Sequence, residues 1–594
     1  MGWHLRRLLS EEEAERKYPD RVLICRLLKL ALRYKRYFAA LVVTTSIRIV
    51  LSIYVPYTTK FLIDSALAKD IASLAFWSLA FLILALSNWA VGFVSSYSTS
   101  YLGSRLMYDL RNSMYRHLHR VKLSVVVGEP VGKLVSRLTN DVDTVGNVAT
   151  SGLLETIADV ITIGGAMFMM WSLSPQLSLV CYLLIPLTIV ANAYFIRKAR
   201  EAYRETRRRI AEVTSRISQD IAGASVVQAF SFRRRRNIEE FRRINEENLR
   251  ANVHAAMITS SLSPVMGIIH ASSIALILWY GGSLVQQGLL TIGTLMAFYG
   301  YVDMFFRPIR TLVLFFSTLQ STLAATERIF TFLDSEVERE EGEVEEPPKR
   351  GEVEFRRVTF GYEEGVPVLR EVSFKVNPGE RVALVGPTGA GKTTLVNLLL
   401  RFYEPWSGEI LIDGVDVRRY KLSALRGAIV MVPQEPVLMS GTILDNILLA
   451  NPRATVEEVE LALRTLGLEE LIKSLPEGLH TRVLEGGKNL SVGQRQVISF
   501  VRALLANPCI LVLDEATSSV DPYTEAKLQA ALNKLARGRT TIIIAHRLQT
   551  VVNADRIVVL QDGRVVEEGT HDELLRREGI YAKLYGLQMS SVPR

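Results

Sequence analysis

Cysteine is scarce in this chain. Only Cys25, Cys181 and Cys509 occur in 594 residues, and none has the spacing of a metal site or a disulfide framework. That points to a reduced or membrane setting. Charge is absent over long runs: none from Ile71 to Ser104, none from Val160 to Ile196, and only His270 from Ala255 to Val302. With 49% hydrophobic residues, such runs exclude a wholly soluble protein. No cleavable signal peptide is evident, because the first 36 residues are too charged. The apolar half shows no internal repeat, and the length calls for two to four domains.

What is present divides into two halves. A spanning helix needs about 20 mostly apolar residues. The first charge-free run holds one span. The second holds two, split at Ser172–Gln176, and the third holds two, split near Gln286–Gly288. Tyr37–Tyr57 adds another, interrupted by Arg48, which makes six spans. The polar connection near 58–71 reads as short. The segments 105–147 and 197–254 are long, basic and helically periodic, and read as helices projecting beyond the membrane.

The net charge of +9 raises nucleic acid as a partner, but the basic clusters flank the apolar runs, as at Arg6-Arg7, Lys35-Arg36, Arg197–Arg200 and Arg233–Arg236. Basic residues gather at the cytoplasmic ends of membrane helices. The expectation is a multi-pass protein of the cell (inner) membrane, with both termini and the long segments cytoplasmic and no nucleic acid bound. Inside the spans, Arg48, the pair Glu155 and Asp159, His270, and Asp303 with Arg307 and Arg310 either pair with one another or line a polar path.

Residues 334–350 are mostly acidic and end in Pro-Pro-Lys-Arg, which reads as a solvated linker. The domain expectation is 1–36 as an N-terminal segment, 37–333 as an all-α transmembrane domain, 334–350 as linker, and 351–594 as an α/β nucleotide-binding domain.

The chemistry lies in that last segment. Gly386-Pro387-Thr388-Gly389-Ala390-Gly391-Lys392-Thr393-Thr394 fits G-x-x-x-x-G-K-[ST]. It lies between an apolar strand pattern (381–385) and a helical one (395–400), the context this motif requires. Glycines let backbone N–H groups face phosphate oxygens, and the helix N-terminus adds positive potential. Lys392 reaches the β- and γ-phosphates and Thr393 ligates Mg²⁺. ATP and Mg²⁺ are therefore the expected cofactors. About 120 residues on, an apolar strand ends in Asp514-Glu515, suited to holding the Mg²⁺ shell and to polarising the attacking water. Leu490-Ser-Val-Gly-Gln494 precedes a helical pattern over 495–505, so Ser491 and the N–H groups there can meet a γ-phosphate.

With these motifs the chain resembles the ATP-binding-cassette family, whose signature is Leu-Ser-Gly-Gly-Gln. By that resemblance Tyr362 stacks on adenine, Gln434 senses Mg²⁺ and the membrane domain, Ser491, Gly493 and Gln494 form the signature, Glu485 lies in the loop before it, 518–521 is the D-loop, and His546 contacts the γ-phosphate. Six spans before one nucleotide domain is similar to an exporter half-transporter. Leu134–Asp141 and Ala222–Phe230 resemble its two coupling loops. Val492 departs from the signature and crowds the approach to phosphate. That departure suggests a heterodimer with a second half-transporter, ahead of a homodimer. The implied function is ATP-driven export of drugs, lipids or peptides by alternating access; an ATP-gated channel or regulator is the alternative.

Overall fold

The computed structural model describes residues 18–147, 153–183, 185–514, 521–545 and 551–590. The chain forms two compact units. The first holds the N-terminal part to His119 and Glu129–Ser335; the second holds Arg120–Gly128 and everything from Glu336.

The first unit is all helix: α1 (Asp20–Ala31), α2 (Lys35–Leu67), α3 (Ile71–Leu118), α4 (Leu153–Leu173), α5 (Pro175–Tyr182), α6 (Ile185–Ala222), α7 (Ala224–Ala229), α8 (Ser231–Gln286) and α9 (Ile292–Leu333). Five stretches are long and apolar enough to cross a membrane among the described residues, and α9 adds the shorter apolar stretch Ile292–Phe306. Both expected turns are present. Ser174 caps α5 through the N–H of Leu177, ahead of Pro175. Gly288 takes a φ of 73° just after α8, where a side chain would be strained.

The connection expected near 58–71 is shorter than the composition suggests, because α2 stays helical to Leu67 and Asp70 already caps α3. The charged residues there are used within the fold. Asp64 accepts hydrogen bonds from the Gly293 N–H and the Thr291 hydroxyl, both at 2.9 Å. A Cβ on Gly293 would lie 2.2 Å from the Lys60 carbonyl, so glycine permits this approach of α9 to α2. The 48 residues of α3 give it a length of about 72 Å at 1.5 Å per residue. That exceeds a hydrocarbon core of about 30 Å. The extension expected over 105–147 is helical to Leu118 and again from Val131 to Asn147, with turns and the short helix Leu123–Val127 between them. Within the second stretch Arg137–Asp141 is a π-helical turn whose Asp141 binds Arg328 of α9 through two bonds of 2.8 and 2.6 Å.

The second unit has two main sheets and a two-stranded ladder of β7 (Gly441–Thr442) with β8 (Arg482–Val483). One is antiparallel, in the order β2 (Leu369–Val376), β1 (Val353–Phe360), β4 (Ser407–Ile412), β5 (Val415–Asp416). The other runs β12 (Arg564–Gly569), β11 (Arg556–Gln561), β3 (Arg381–Val385), β10 (Thr540–Ile544), β9 (Ile510–Asp514), β6 (Ile429–Val432), parallel except for β12. A parallel sheet covered on both faces needs strands that are apolar on both sides. In β3, Val382 and Leu384 enter the core shared with the antiparallel sheet, while Ala383 and Val385 enter the core beneath the helices. In β9, Ile510 and Val512 alternate with Leu511 and Leu513 in the same way.

The segment 334–350 is not a loose solvated linker beyond Ser335. The Glu338 N–H donates to the Arg120 carbonyl and the Lys122 N–H to the Glu336 carbonyl. Val344 pairs with the Arg419–Lys421 segment in an isolated parallel bridge, by two backbone bonds of 2.9 and 3.0 Å. Glu338 grips Arg426 through two bonds of 2.7 and 2.8 Å, and Glu343 and Glu345 bind Arg419 and Lys421. Glu336, Glu338, Glu343 and Glu345 thus bind basic residues of the same unit that lie far along the chain, so these acids mark attachment, whereas Glu341 and Glu346 pair with Arg339 and Lys349 close by.

Candidate nucleotide site

The carboxyl ends of β3, β10 and β9 open on one edge of the parallel sheet. Ile544 of β10 stands in register with Leu384 of β3 and with Asp514 of β9. One strand intervenes between β3 and β9, so the phosphate loop and Asp514 are separated by about 10 Å at ordinary strand spacing. In open α/β sheets the crevice beyond the carboxyl strand ends is where ligands bind.

The loop from Gly386 leaves β3 and enters α10 (Lys392–Leu399). Gly391 caps α10 with φ 100°, and Gly389 has φ 86°. A Cβ on Gly386 would stand 2.2 Å from the Leu560 carbonyl, so no larger residue fits. Pro387, Thr388 and Gly389 are exposed at the crest, while Ala390 is buried beneath it. Lys392 is buried along its stem, and its Nζ donates to the carbonyls of Gly386 (2.7 Å) and Pro387 (3.1 Å). That holds the ammonium over the arch of backbone N–H groups. Thr393 is exposed and Thr394 buried.

The Tyr362 hydroxyl donates to the Thr394 hydroxyl at 3.2 Å and accepts from the Asn397 side chain at 3.2 Å. Its ring is 50% exposed and stands edge-on to Phe360 and Tyr403. An apolar face is thus fixed beside the phosphate loop. Sequence reasoning missed Tyr403 and Asn397. Asn397 was findable as a polar residue in the otherwise apolar turn Leu395–Leu400; Tyr403 carried no motif.

Gln434 is exposed just beyond the carboxyl end of β6, the strand next to β9. Thr393, Asp514 and Gln434 offer only oxygen ligands, which suit a hard cation. Among the described residues no group of three or more His, Cys, Asp or Glu could hold a metal unaided. The donor set therefore fits Mg²⁺ that takes phosphate oxygens and water for the rest of its shell. Glu515 and His546 lie outside the described residues, as do 518–520. Asp521 is described: it caps α12 (Pro522–Ala536) through the Thr524 N–H at 3.0 Å, which holds its carboxyl below the usual range.

The signature turn is built differently. Its helix α11 (Val492–Ala506) starts three residues earlier than the pattern suggests, because Ser491 caps it. The Ser491 hydroxyl accepts from the Gln494 N–H at 3.2 Å, and the Gln494 side chain accepts from the Ser491 N–H at 2.9 Å. Gly493 is buried at the second position and Val492 is half-exposed at the first. Val492 is not among the residues with positive φ, so valine is unstrained there; any crowding comes from its side chain alone. Arg495 secures the preceding loop by donating to the Gly487 and Leu490 carbonyls, and Glu485 is exposed on that loop. The helix α11 packs in the core beneath the helices and α10 in the other core, so the two N-termini belong to different layers.

A helical unit with membrane-length apolar helices, joined to a phosphate-loop sheet, defines a membrane-embedded ATPase. The family models agree: residues 37–309 match the ABC transporter transmembrane region and residues 369–518 the ABC transporter domain. The chain is 37% identical to an ATP-dependent lipid A-core flippase of Syntrophus aciditrophicus, over 95% of this chain and 94% of that protein. It is 38% identical to a fatty acid ABC transporter ATP-binding/permease protein of Mycobacterium bovis, over 81% and 76%. A solved bacterial Atm1-family ABC exporter with ATP bound is similar at a TM-score of 0.75 and 27% identity, covering 95% of this chain and 99% of that one. The chain belongs to the ATP-binding-cassette transporter family, in its exporter class. It is an ATPase coupled to transport through a multi-pass membrane domain.

Proposed function

We propose that this chain is one half of a dimeric exporter that drives hydrophobic or amphipathic molecules (drugs, lipids or peptides) across the cell membrane by alternating access. The carrying observation is the phosphate loop at the carboxyl edge of the parallel sheet, with Asp514 on the same edge. The lipid and fatty-acid names of its relatives support the cargo class.

In this reading Tyr362 stacks on adenine and residues 386–394 cradle the phosphates. Thr393, Asp514 and Gln434 would hold Mg²⁺, which neutralises phosphate charge when bound. Glu515 polarises the attacking water, and His546 contacts the γ-phosphate. Ser491, Gly493 and Gln494 close over the nucleotide of the partner subunit. The placement of α11 and α10 in different layers supports pairing between two chains rather than within one. ATP favours the closed pair because only there does it touch both domains. The segments Leu134–Asp141 and Ala222–Phe230 pass that closure to the spans, with the nucleotide domain and both termini cytoplasmic.

The partner is a second half-transporter, a heterodimer in preference to a homodimer, because Val492 burdens the site that this signature covers. Sealed vesicles carrying the pair test the reading: ATP should drive a lipid or drug probe against its gradient, and Glu515→Gln should abolish that movement. Flux only down the gradient would make the protein an ATP-gated channel instead.

A further inference from the structure

Arg48 is the only charged residue of α2 between Arg36 and Lys60, in the middle of the apolar stretch. Among the described residues it makes no ion pair or hydrogen bond. An arginine at that depth is costly unless something meets its charge. The acid nearest in level is Asp159 of α4, six residues before Gly165, where α4 touches Ile53 of α2; Asp159 has an interaction of its own.

Arg48 instead opens into a groove of about 560 Å³ between α2 and α3, lined by Ser52, Asn88, Trp89, Phe93 and Ser96. The Asn88 side-chain oxygen is buried and has no partner; an anion can be met there only by the N–H₂ of the same amide turned over, since the oxygen is an acceptor. Spacings of four place Arg48 and Ser52 on one face of α2, and Asn88, Gly92 and Ser96 on one face of α3. From the groove, Trp89, Phe93, Tyr97 and Tyr101 continue along α3 every fourth residue. The first three are 74%, 65% and 60% exposed. Trp89 stacks on Phe93 and Tyr97 on Tyr101, with centroids 6.4 Å apart in each pair, and Tyr37 stacks on Tyr101 at 4.2 Å. Twelve residues of helix make this strip about 18 Å long, more than half of a bilayer core of about 30 Å.

We propose that this groove binds cargo with one anionic head, a carboxylate or phosphate, and a long apolar chain. The head pairs with Arg48 and takes hydrogen bonds from Asn88 and Ser52, and the chain lies along Trp89, Phe93 and Tyr97. This deepens the exporter reading and rests on it.

The test uses the full chain, with its partner if one is required, in phosphatidylcholine nanodiscs. Dibromostearate quenches tryptophan on contact, and the difference between the parent and Trp89→Phe isolates the Trp89 signal. Saturable quenching is expected, displaced by plain stearate. It should weaken about tenfold in Arg48→Ala and much less in Arg48→Lys, as loss of a charge-assisted contact predicts. Dibromostearylamine should give no saturable quenching. Equal binding by Arg48→Ala, or by the amine, overturns the proposal. So does quenching by brominated phosphatidylcholine that stearate cannot displace, which would assign the groove to bilayer lipid. No quenching together with disulfide cross-linking of Ser52→Cys between subunits would assign it to the partner chain. The two readings fail separately. Arg48-dependent stearate binding without ATP-driven movement of any probe defeats the exporter reading and leaves the groove. Movement of a neutral dye without stearate binding does the reverse.

Discussion

The phosphate loop and the signature turn both end in the N-terminus of a helix, and each is suited to phosphate, yet they are made in opposite ways. At the phosphate loop the backbone itself is unusual: Gly389 and Gly391 have positive φ, and the Leu560 carbonyl leaves no room for a side chain on Gly386. Its lysine is tied to two carbonyls of the arch. At the signature the backbone is ordinary, and a reciprocal Ser491–Gln494 cap satisfies the helix end through side chains. The first design admits almost no substitution, whereas the second tolerates a valine without strain. A departure from the family pattern is therefore informative at the phosphate loop and only weakly so at the signature.

The comparison breaks most sharply at Glu515, the residue proposed as general base. Glu515→Gln should retain ATP binding and lose roughly 10²–10⁴-fold in turnover, the usual contribution of a general base. Steady-state phosphate release beside nucleotide binding checks it, and near-normal turnover would remove Glu515 from that role. Lys392→Ala comes next. A charge-assisted bond of about 1.5–3 kcal/mol corresponds to roughly 10–150-fold weaker ATP binding. Unchanged affinity would mean that the arch of N–H groups suffices alone, and that its lysine is only an internal brace.

Much of this was legible in the sequence because it is local. The β3–loop–α10 unit and β9 announced themselves by apolar runs placed next to glycines or acids, and both strands alternate between two cores as a doubly covered sheet requires. Features that rest on distant partners were not legible. Glu338 looked like one solvated acid among many until Arg426, 88 positions along the chain, proved to hold it. Tyr403 braces Tyr362 from a turn with no motif. The connection near 58–71 read as polar because Lys60 and Asp64 are charged, but α2 continues through them since Asp64 is needed at Gly293. Glu155 lies on the membrane-length helix α4 and Asp303 on the shorter apolar stretch Ile292–Phe306; Asp303 lies 3.9 Å from His270, beyond hydrogen-bond distance, while the side chains of Arg307 and Arg310 lie outside the described ones.

Tyr362 tests whether the phosphate end depends on its aromatic neighbour. Base–aromatic stacking is worth about 1–3 kcal/mol, so Tyr362→Ala should weaken ATP binding by roughly tenfold. Tyr362→Phe keeps the ring but loses the two bonds to Thr394 and Asn397; because neither reaches the nucleotide, it should lose only about two- to threefold, the low end of what a neutral hydrogen bond contributes. Equal losses in the two variants would show that the hydroxyl, through its hold on α10, matters more than the ring.

Val492→Gly gives the smallest effect and sharpens the comparison most. If the signature turn is as tolerant as its geometry indicates, restoring glycine removes only a Cβ and two methyls from a half-exposed position at the start of α11. Such changes alter stability by no more than about 0.5 kcal/mol, so thermal unfolding should scarcely move. Hydrolysis at the partner site covered by this signature should then rise about twofold or more, because only the bulk facing the phosphate has gone. A rise in turnover without a change in stability would make Val492 a selective brake on one of two sites, as an asymmetric pair requires. No rise would leave the two sites equivalent and return the homodimer to first place, since nothing else in the described signature departs from the family pattern.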